Sequence, residues 1–289
     1  MNVITVAPVH PQRGCQNGVM GGLRTFRLSI IDYLNAAPLN YGFKHGLGDG
    51  LFELQFHVPS LCADRLKRGE VDAGLISSIE YLRIPDLRIV PNLCISSRKR
   101  VRSVLLLSKV RPSEIRTLAL DASSRTSVVL SQLLLRERYG VSPAVDEMEP
   151  DLPTMLHEHD AALLIGDGAM RAAKEGLIVL DLAEEWHAWT GLPFVFALWT
   201  VRSSAPAPPD LLAYFQRSLE MGRQGTAEIV EGALRGIGWT RLELEEYLTE
   251  NIHYDLGTPE EQSLELFFSK AVQHGFAPEL KPIQYLTCP

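Results

Sequence analysis

The sequence predicts an α/β fold of two lobes, with two parallel or mixed sheets joined by two crossing strands. Three observations carry this. Residues 26–78 alternate strand and helix patterns; two apolar runs of strand length, 101–108 and 194–201, flank a second alternating set at 117–175; and a Pro-rich break at 203–209 precedes four amphipathic stretches between 210 and 274. Alternating elements of this kind build sheets through right-handed crossovers. The expected lobes are 24–105 together with 200–289, a discontinuous first lobe, and 106–199, a continuous second one, with residues 1–23 as a loose extension.

In order along the chain, residues 27–31 read as a strand, the polar loop Asp32-Tyr-Leu-Asn35 follows, and a helix begins near Pro38 and stops at Gly46 or Gly48. Residues 52–57 form the next strand. Pro59 and Ser60 suit a helix start, Leu61 and Leu66 share one buried face, and Gly69 can take the left-handed conformation that ends the helix. The compact apolar run from Val71 to Ile76 then places Ser77 and Ser78 at the carboxyl end of a buried strand, the edge where open α/β sheets bind ligands. In the second set we expect a strand at 117–120, a helix at 126–139 closed by Gly140, a short helix at 153–157, a strand at 161–165 and a helix at 168–175. The four late helices, 210–222, 226–236, 240–251 and 259–274, are expected to pack back on the first lobe.

The composition narrows the function. With 289 residues, 46% hydrophobic and 22% charged, the chain can bury a large core, and its net charge of −7 offers no footprint for nucleic acid or an anionic membrane. Cys15, Cys62, Cys94 and Cys288 are far apart without metal-ligand spacing, which favours a reducing compartment and a cytoplasmic location. No run reaches the roughly 18 apolar residues of a spanning helix, and the first 23 residues fit no export signal. A Gly-rich phosphate loop, His-Glu-x-x-His, Gly-x-Ser-x-Gly and Gly-x-Gly-x-x-Gly are all missing. His157-Glu158-His159-Asp160 has the wrong spacing for one helix face, so no metal is expected.

Several residues remain as candidates for chemistry. Ser123-Ser-Arg-Thr-Ser127 stands between a strand and a helix, where free amides and hydroxyls suit a carboxylate, although ordinary capping by Ser or Thr would use the same groups. Thr126 and Ser127 are the preferred contacts. Asn35 is either a ligand donor and acceptor or a turn residue. Ser103 reads as a small strand residue, and its neighbour Arg102 as either a carboxylate fork in the cleft or a solvated flank. Asp167, in Gly166-Asp-Gly168, is a helix cap or a cleft residue. Trp186, Trp189, Phe194, Phe196 and Trp199 crowd one segment as core, with one ring, for which Phe194 is chosen, available to cover a planar ligand.

Five segments in order, Tyr33-Leu-Asn-Ala-Ala-Pro-Leu39, Gly69-Glu-Val-Asp-Ala-Gly-Leu-Ile-Ser-Ser-Ile-Glu-Tyr81, Arg102-Ser-Val-Leu-Leu-Leu-Ser108, Leu164-Ile-Gly-Asp167 and Glu185-Trp-His-Ala-Trp-Thr-Gly-Leu-Pro-Phe-Val-Phe-Ala-Leu-Trp199, resemble the chorismate dehydratases of the futalosine route to menaquinone. The resemblance implies a periplasmic-binding-protein-like type II fold used as a cytoplasmic, cofactor-independent enzyme acting on a small molecule. It implies roles in turnover for Asn35 and Ser103, and substrate contacts at Ser77, Ser78, Thr126 and Ser127. The sequence departs from the family pattern at Ala36, where Thr is expected, and at Lys99-Arg100, where relatives often carry Gly-Pro. The sister 1,4-dihydroxy-6-naphthoate synthases would place a catalytic histidine near Gly166, and none is there. A non-catalytic solute-binding protein of the same fold is the rival class. The sequence leaves homo-oligomerisation open.

Overall fold

The structure, a computed structural model, describes residues 25–287; the expected extension at 1–23 and two cysteines, Cys15 and Cys288, lie outside the described residues. The chain opens with β1 (Phe26–Ile31), a 3-10 turn at Leu34–Ala36, α1 (Ala37–Lys44), β2 (Phe52–His57), α2 (Pro59–Arg68), β3 (Ala73–Ser77), α3 (Glu80–Arg83) and β4 (Leu87–Ser97). A second set follows as β5 (Val104–Ser108), β6 (Thr117–Asp121), α4 (Thr126–Tyr139), β7 (Ala144–Met148), α5 (Leu152–Glu158), β8 (Ala161–Ile165), α6 (Gly166–Arg171), β9 (Ile178–Asp181) and α7 (Leu182–Thr190). The chain returns as β10 (Phe194–Arg202) and ends in α8 (Leu211–Gln224), α9 (Thr226–Ile237), α10 (Arg241–Glu246), a π turn at Tyr247–Asn251, and α11 (Thr258–Gln273).

The strands form two five-stranded sheets, ordered β2-β1-β3-β10-β4 and β7-β6-β8-β5-β9. Both are mixed. In the first, β1 pairs in parallel with β2 and β3, while β10 runs antiparallel to β3 and β4. In the second, β6 pairs in parallel with β7 and β8, and β5 runs antiparallel to β8 and β9. The sheets are joined by two passages, residues 98–103 and 191–193, next to the apolar runs that the sequence assigns to the crossing. Strand pairing puts Val104 and Leu105 in the second sheet and residues 194–199 in the first, so the division between the lobes falls at the passages and not at 105/106 and 199/200.

Local chemistry explains the boundaries that matter for the site. Pro59 stands at the start of α2, and Gly69 ends it with φ +72. Gly140, at φ +71, ends α4 in the same way. The helix expected at 168–175 is instead the shorter α6, because Ala172 turns to an extended ψ of 134°. The late helices also depart from expectation. Ser218 of α8 does tie to lobe one, accepting from the Gly42 amide at 3.1 Å and donating to the Leu39 carbonyl at 2.7 Å. The others brace lobe two as well: the Trp239 indole donates to the Met170 carbonyl at 3.1 Å, the Trp186 indole donates to Ser263 at 3.0 Å, and Glu137 pairs with Lys270 and His274.

One buried carboxylate fixes the first passage and the start of the helix before the second. Asp181 Oδ1 accepts from the amides of Val101 (3.1 Å), Ala183 (3.1 Å) and Glu184 (3.2 Å), and Oδ2 accepts from Arg102 at 2.7 Å. It caps α7, which leads into the second passage, while holding the first. Burial pushes its pKa up, and the amides of Arg102, Val101 and Glu184 oppose that shift. Replacing it leaves buried amides without acceptors and an uncapped helix, so Asp181→Ala is expected to cost about 2–4 kcal/mol, read as a lower urea midpoint; an unchanged midpoint would refute the role.

Candidate active site

The carboxyl ends of β1 and β3 in lobe one meet those of β6 and β8 in lobe two across a narrow cavity of about 40 Å³. Its wall combines apolar residues, among them Ile31, Ile95, Val104 and Ile165, with the polar side chains of Tyr33, Asn35, Ser77, Ser124, Thr126 and Ser127. Among the described residues lining it there is no Asp, Glu, His, Lys or Cys, and Tyr33 is the sole titratable group. Burial raises the Tyr33 pKa further, so its hydroxyl stays protonated at neutral pH.

The amino terminus of α4 opens onto this cavity. Its cap position is Arg125, whose side chain makes no bond to the first turn, so the hydroxyl capping that the sequence offered as the alternative is not used. Thr126 and Ser127, the first helical residues, line the cavity with the helix amides beside them. A helix end of this kind attracts negative charge. Across the cavity, the side-chain oxygen of Asn35 is buried without a hydrogen-bond partner, an arrangement costly enough to point to an absent donor.

The lobes are closed over the cavity by a short set of polar links. Thr126 Oγ1 lies 3.2 Å from Ser78 Oγ and accepts from the Ile79 amide at 3.2 Å. The Ser60 amide donates to the Ser123 carbonyl at 3.1 Å, and the Tyr33 hydroxyl to Ser123 Oγ at 3.3 Å. Arg125 reaches Asp64 at 2.9 Å and Glu80 at 3.3 Å. Ligand pockets usually enclose about 300–1,000 Å³, so this is a closed arrangement that must part to admit a substrate.

The residues singled out in the sequence therefore divide. Asn35, Ser77, Thr126 and Ser127 come together on the cavity wall. Ser78 is committed to closure, donating to the Val195 carbonyl at 2.8 Å beside its contact with Thr126. Ser103, next to Val104 in the chain, is completely buried and is not among the residues lining the cavity, its hydroxyl bonded to Tyr247 at 2.7 Å. Arg102 is outside the cavity: its guanidinium stacks 4.1 Å over Trp239 and pairs with Glu243 and Glu246. Phe194 is completely buried among Trp186, Phe196 and Phe267, and it is Phe196 that lines the cavity. The irregular pairing of β10 between Val195 and Ala197 is what presents that ring.

Asp167 caps nothing in its own helix. Its Oδ1 accepts from the Leu34 amide of lobe one at 3.1 Å, and it lines a separate open groove of about 410 Å³ beside Lys44, Arg171 and Glu228. Sequence reasoning named Ser124 and Arg125 only within the stretch 123–127 and did not single out Tyr33 or Phe196. Tyr33 and Phe196 stood within the motifs quoted, but nothing in residue type distinguished them from core aromatics. Among the described residues, no three His, Cys, Asp or Glu side chains gather to hold a metal, and no helix is long and apolar enough to cross a membrane.

Two mixed sheets closing on a cavity at their carboxyl ends define a two-lobed ligand-binding fold of the periplasmic-binding-protein kind. Solved structures agree: a protein of Archaeoglobus fulgidus superposes with a TM-score of 0.71 at 19% identity, covering 87% of this chain and 98% of the other. The aliphatic sulphonate binding protein of Escherichia coli gives 0.62 at 12% identity, covering 92% and 95%. Sequence comparison is more specific. The chain belongs to the menaquinone biosynthesis family, whose model matches residues 26–273. It is 33% identical over 278 residues to the chorismate dehydratase of Thermus thermophilus, covering 90% of this chain and 100% of the relative. It is 29% identical over 246 residues to that of Campylobacter jejuni, covering 82% and 93%.

Two outcomes follow from the wall. Gly166 holds φ +58, and a Cβ there would lie 2.7 Å from the Tyr33 ring; Gly166→Ala is expected to lower stability by about 1–3 kcal/mol in urea unfolding. Burial raises the Asp167 pKa above the ordinary carboxylate value, so its contribution to stability is most favourable below that value and is lost as pH rises through the raised one. Asp167→Asn keeps an acceptor for Leu34 and should match or exceed the wild-type melting temperature at pH 7.5, with the advantage shrinking towards pH 4. An advantage that grows on acidification would contradict this assignment.

Proposed function

We propose that this chain is a chorismate dehydratase, a carbon–oxygen lyase that eliminates water from chorismate to give 3-[(1-carboxyvinyl)oxy]benzoate in the futalosine route to menaquinone. It works in the cytoplasm without a cofactor. The observation that carries the reading is the cavity wall, which brings the amino end of α4 with Thr126 and Ser127, the side chain of Ser77, and Asn35 with its unpartnered side-chain oxygen around one cavity. Likeness to dehydratases over nearly the whole chain supplies the substrate.

Chorismate carries two carboxylates and becomes aromatic on losing water, so much of the driving force is its own. Removal of the proton from the ether-bearing carbon leaves an anion delocalised through the diene towards the ring carboxylate. The α4 amides with Thr126 and Ser127 are suited to stabilise that charge. Hydroxide then leaves the neighbouring carbon, takes up the abstracted proton as water, and the ring becomes aromatic. With no Asp, Glu, His, Lys or Cys on the described wall, the enolpyruvyl carboxylate of the substrate serves as the base, oriented by Asn35 on that wall; Ser103, which does not line the wall, keeps the role in turnover that the family resemblance implies. Asp167, the protein alternative, is turned to Leu34 and the outer groove.

The rival of capture without turnover rests on fold alone. The sister naphthoate synthase needs a histidine near Gly166, where any side chain would meet the Tyr33 ring. Incubating the purified protein with chorismate, without metal or nucleotide, should yield by mass spectrometry a product lighter by one water that keeps its enolpyruvyl group. Asn35→Ala should lower kcat by roughly 100-fold with a smaller change in KM, whereas Ser127→Ala should act mainly on KM. Unchanged chorismate that raises the melting temperature would instead establish a binding protein.

A further inference from the structure

Tyr247 and Ser103 are both completely buried, and the tyrosine hydroxyl donates to Ser103 Oγ at 2.7 Å. Among the described residues this is the one hydrogen bond that either side chain makes. The partners come from distant parts of the chain, Ser103 from the first passage between the sheets and Tyr247 from the terminal helices. Two local irregularities converge on the pair. Tyr247 begins the π turn that follows α10, and such wide turns recur at functional sites. Arg102, immediately before Ser103, holds φ +61, a conformation that costs an L residue energy and persists where the surroundings enforce it.

Those surroundings are specific. The Arg102 amide is held by Asp181 at 2.7 Å, and its guanidinium stacks 4.1 Å over Trp239. Trp239 in turn packs edge-on against the Tyr247 ring, with centroids 5.7 Å apart. The Ser103 carbonyl accepts from the Gly166 amide at 2.7 Å, and Val104 and Gly166 both line the cavity. Ser103 is thus held through its backbone on both sides, and its hydroxyl is held by one donor. Stability alone does not call for that donor, since exchanging a buried hydroxyl pair for apolar groups of the same shape is nearly neutral. What the bond does supply is direction. A serine hydroxyl that accepts one hydrogen bond keeps its own hydrogen free, and in a chain of such bonds it becomes a stronger donor.

We propose that Tyr247 is a positioning residue for Ser103: it fixes the serine rotamer and polarises its hydroxyl for the elimination of water. This deepens the dehydratase reading and rests on it and on the role in turnover it gives Ser103, whose side chain is not part of the cavity lining. The test compares the full-length wild type, Tyr247→Phe, Ser103→Ala and the double variant on chorismate. Tyr247→Phe is expected to lower kcat roughly 10- to 100-fold, with KM within about twofold and a melting temperature lower by only a few degrees, the cost of leaving the buried Ser103 hydroxyl without its donor. Because the tyrosine acts through the serine, the double variant should be no slower than Ser103→Ala. Full activity of Tyr247→Phe, or a loss that multiplies with that of Ser103→Ala, would overturn the proposal. If the phenylalanine variant does not fold, Tyr247→Met is compared in the same cycle under the same criteria. A wild type that leaves chorismate unchanged sinks the functional reading, an outcome distinct from an active wild type indifferent to position 247.

Discussion

The Asp181 carboxylate is the constraint on which the two-lobed arrangement depends. The two sheets share the chain through residues 98–103 and 191–193, so the rigidity of those passages, together with the bracing by the late helices, sets how the lobes meet. Asp181 fixes the first by accepting the amides of Val101 and Arg102, and it caps the helix that leads into the second. Its burial raises the free energy of its charged form, which the amides of Arg102, Val101 and Glu184 offset in part. Motion is thereby concentrated in the softer links at the cleft mouth, the hydroxyl contacts of Thr126 and the Arg125 ion pairs.

The cavity that results is polar without being charged. Its donors are hydroxyls and helix amides, whose dipoles need little reorganisation when negative charge develops on a bound ring. A wall of this kind favours a substrate that brings its own base and its own aromatic driving force. Closure matters because the same dipoles are far weaker in water. The separation of Asp167 from this wall has the same consequence, since a carboxylate facing the substrate would repel its charges.

Much of this was legible in the sequence because it rests on local chemistry. Gly69 and Gly140 end α2 and α4 where their left-handed conformations allow, and the compact run before Ser77 gave the buried strand that delivers it to the cavity. What escaped was set by tertiary contact. The apolar run 194–201 is compatible with either lobe, and only its antiparallel pairing with β3 and β4 assigns it to the first. Phe194 and Phe196 differ by nothing in type; a break in the regular pairing decides which one faces the cavity. Arg102 looked like a carboxylate ligand because its positive φ and its stacking on Trp239 have no signature in the chain. Short strands such as β7, whose residues are mostly exposed, carry no periodicity to read.

The most direct test of the site is a crystal structure of the protein with 3-[(1-carboxyvinyl)oxy]benzoate bound. The account places one carboxylate against the amides and hydroxyls of Thr126 and Ser127, the ring beside Phe196, and the Asn35 side-chain amide on the enolpyruvyl group. A ligand seated in the open groove beside Lys44 and Asp167, with the cavity between the sheets still closed, would contradict it.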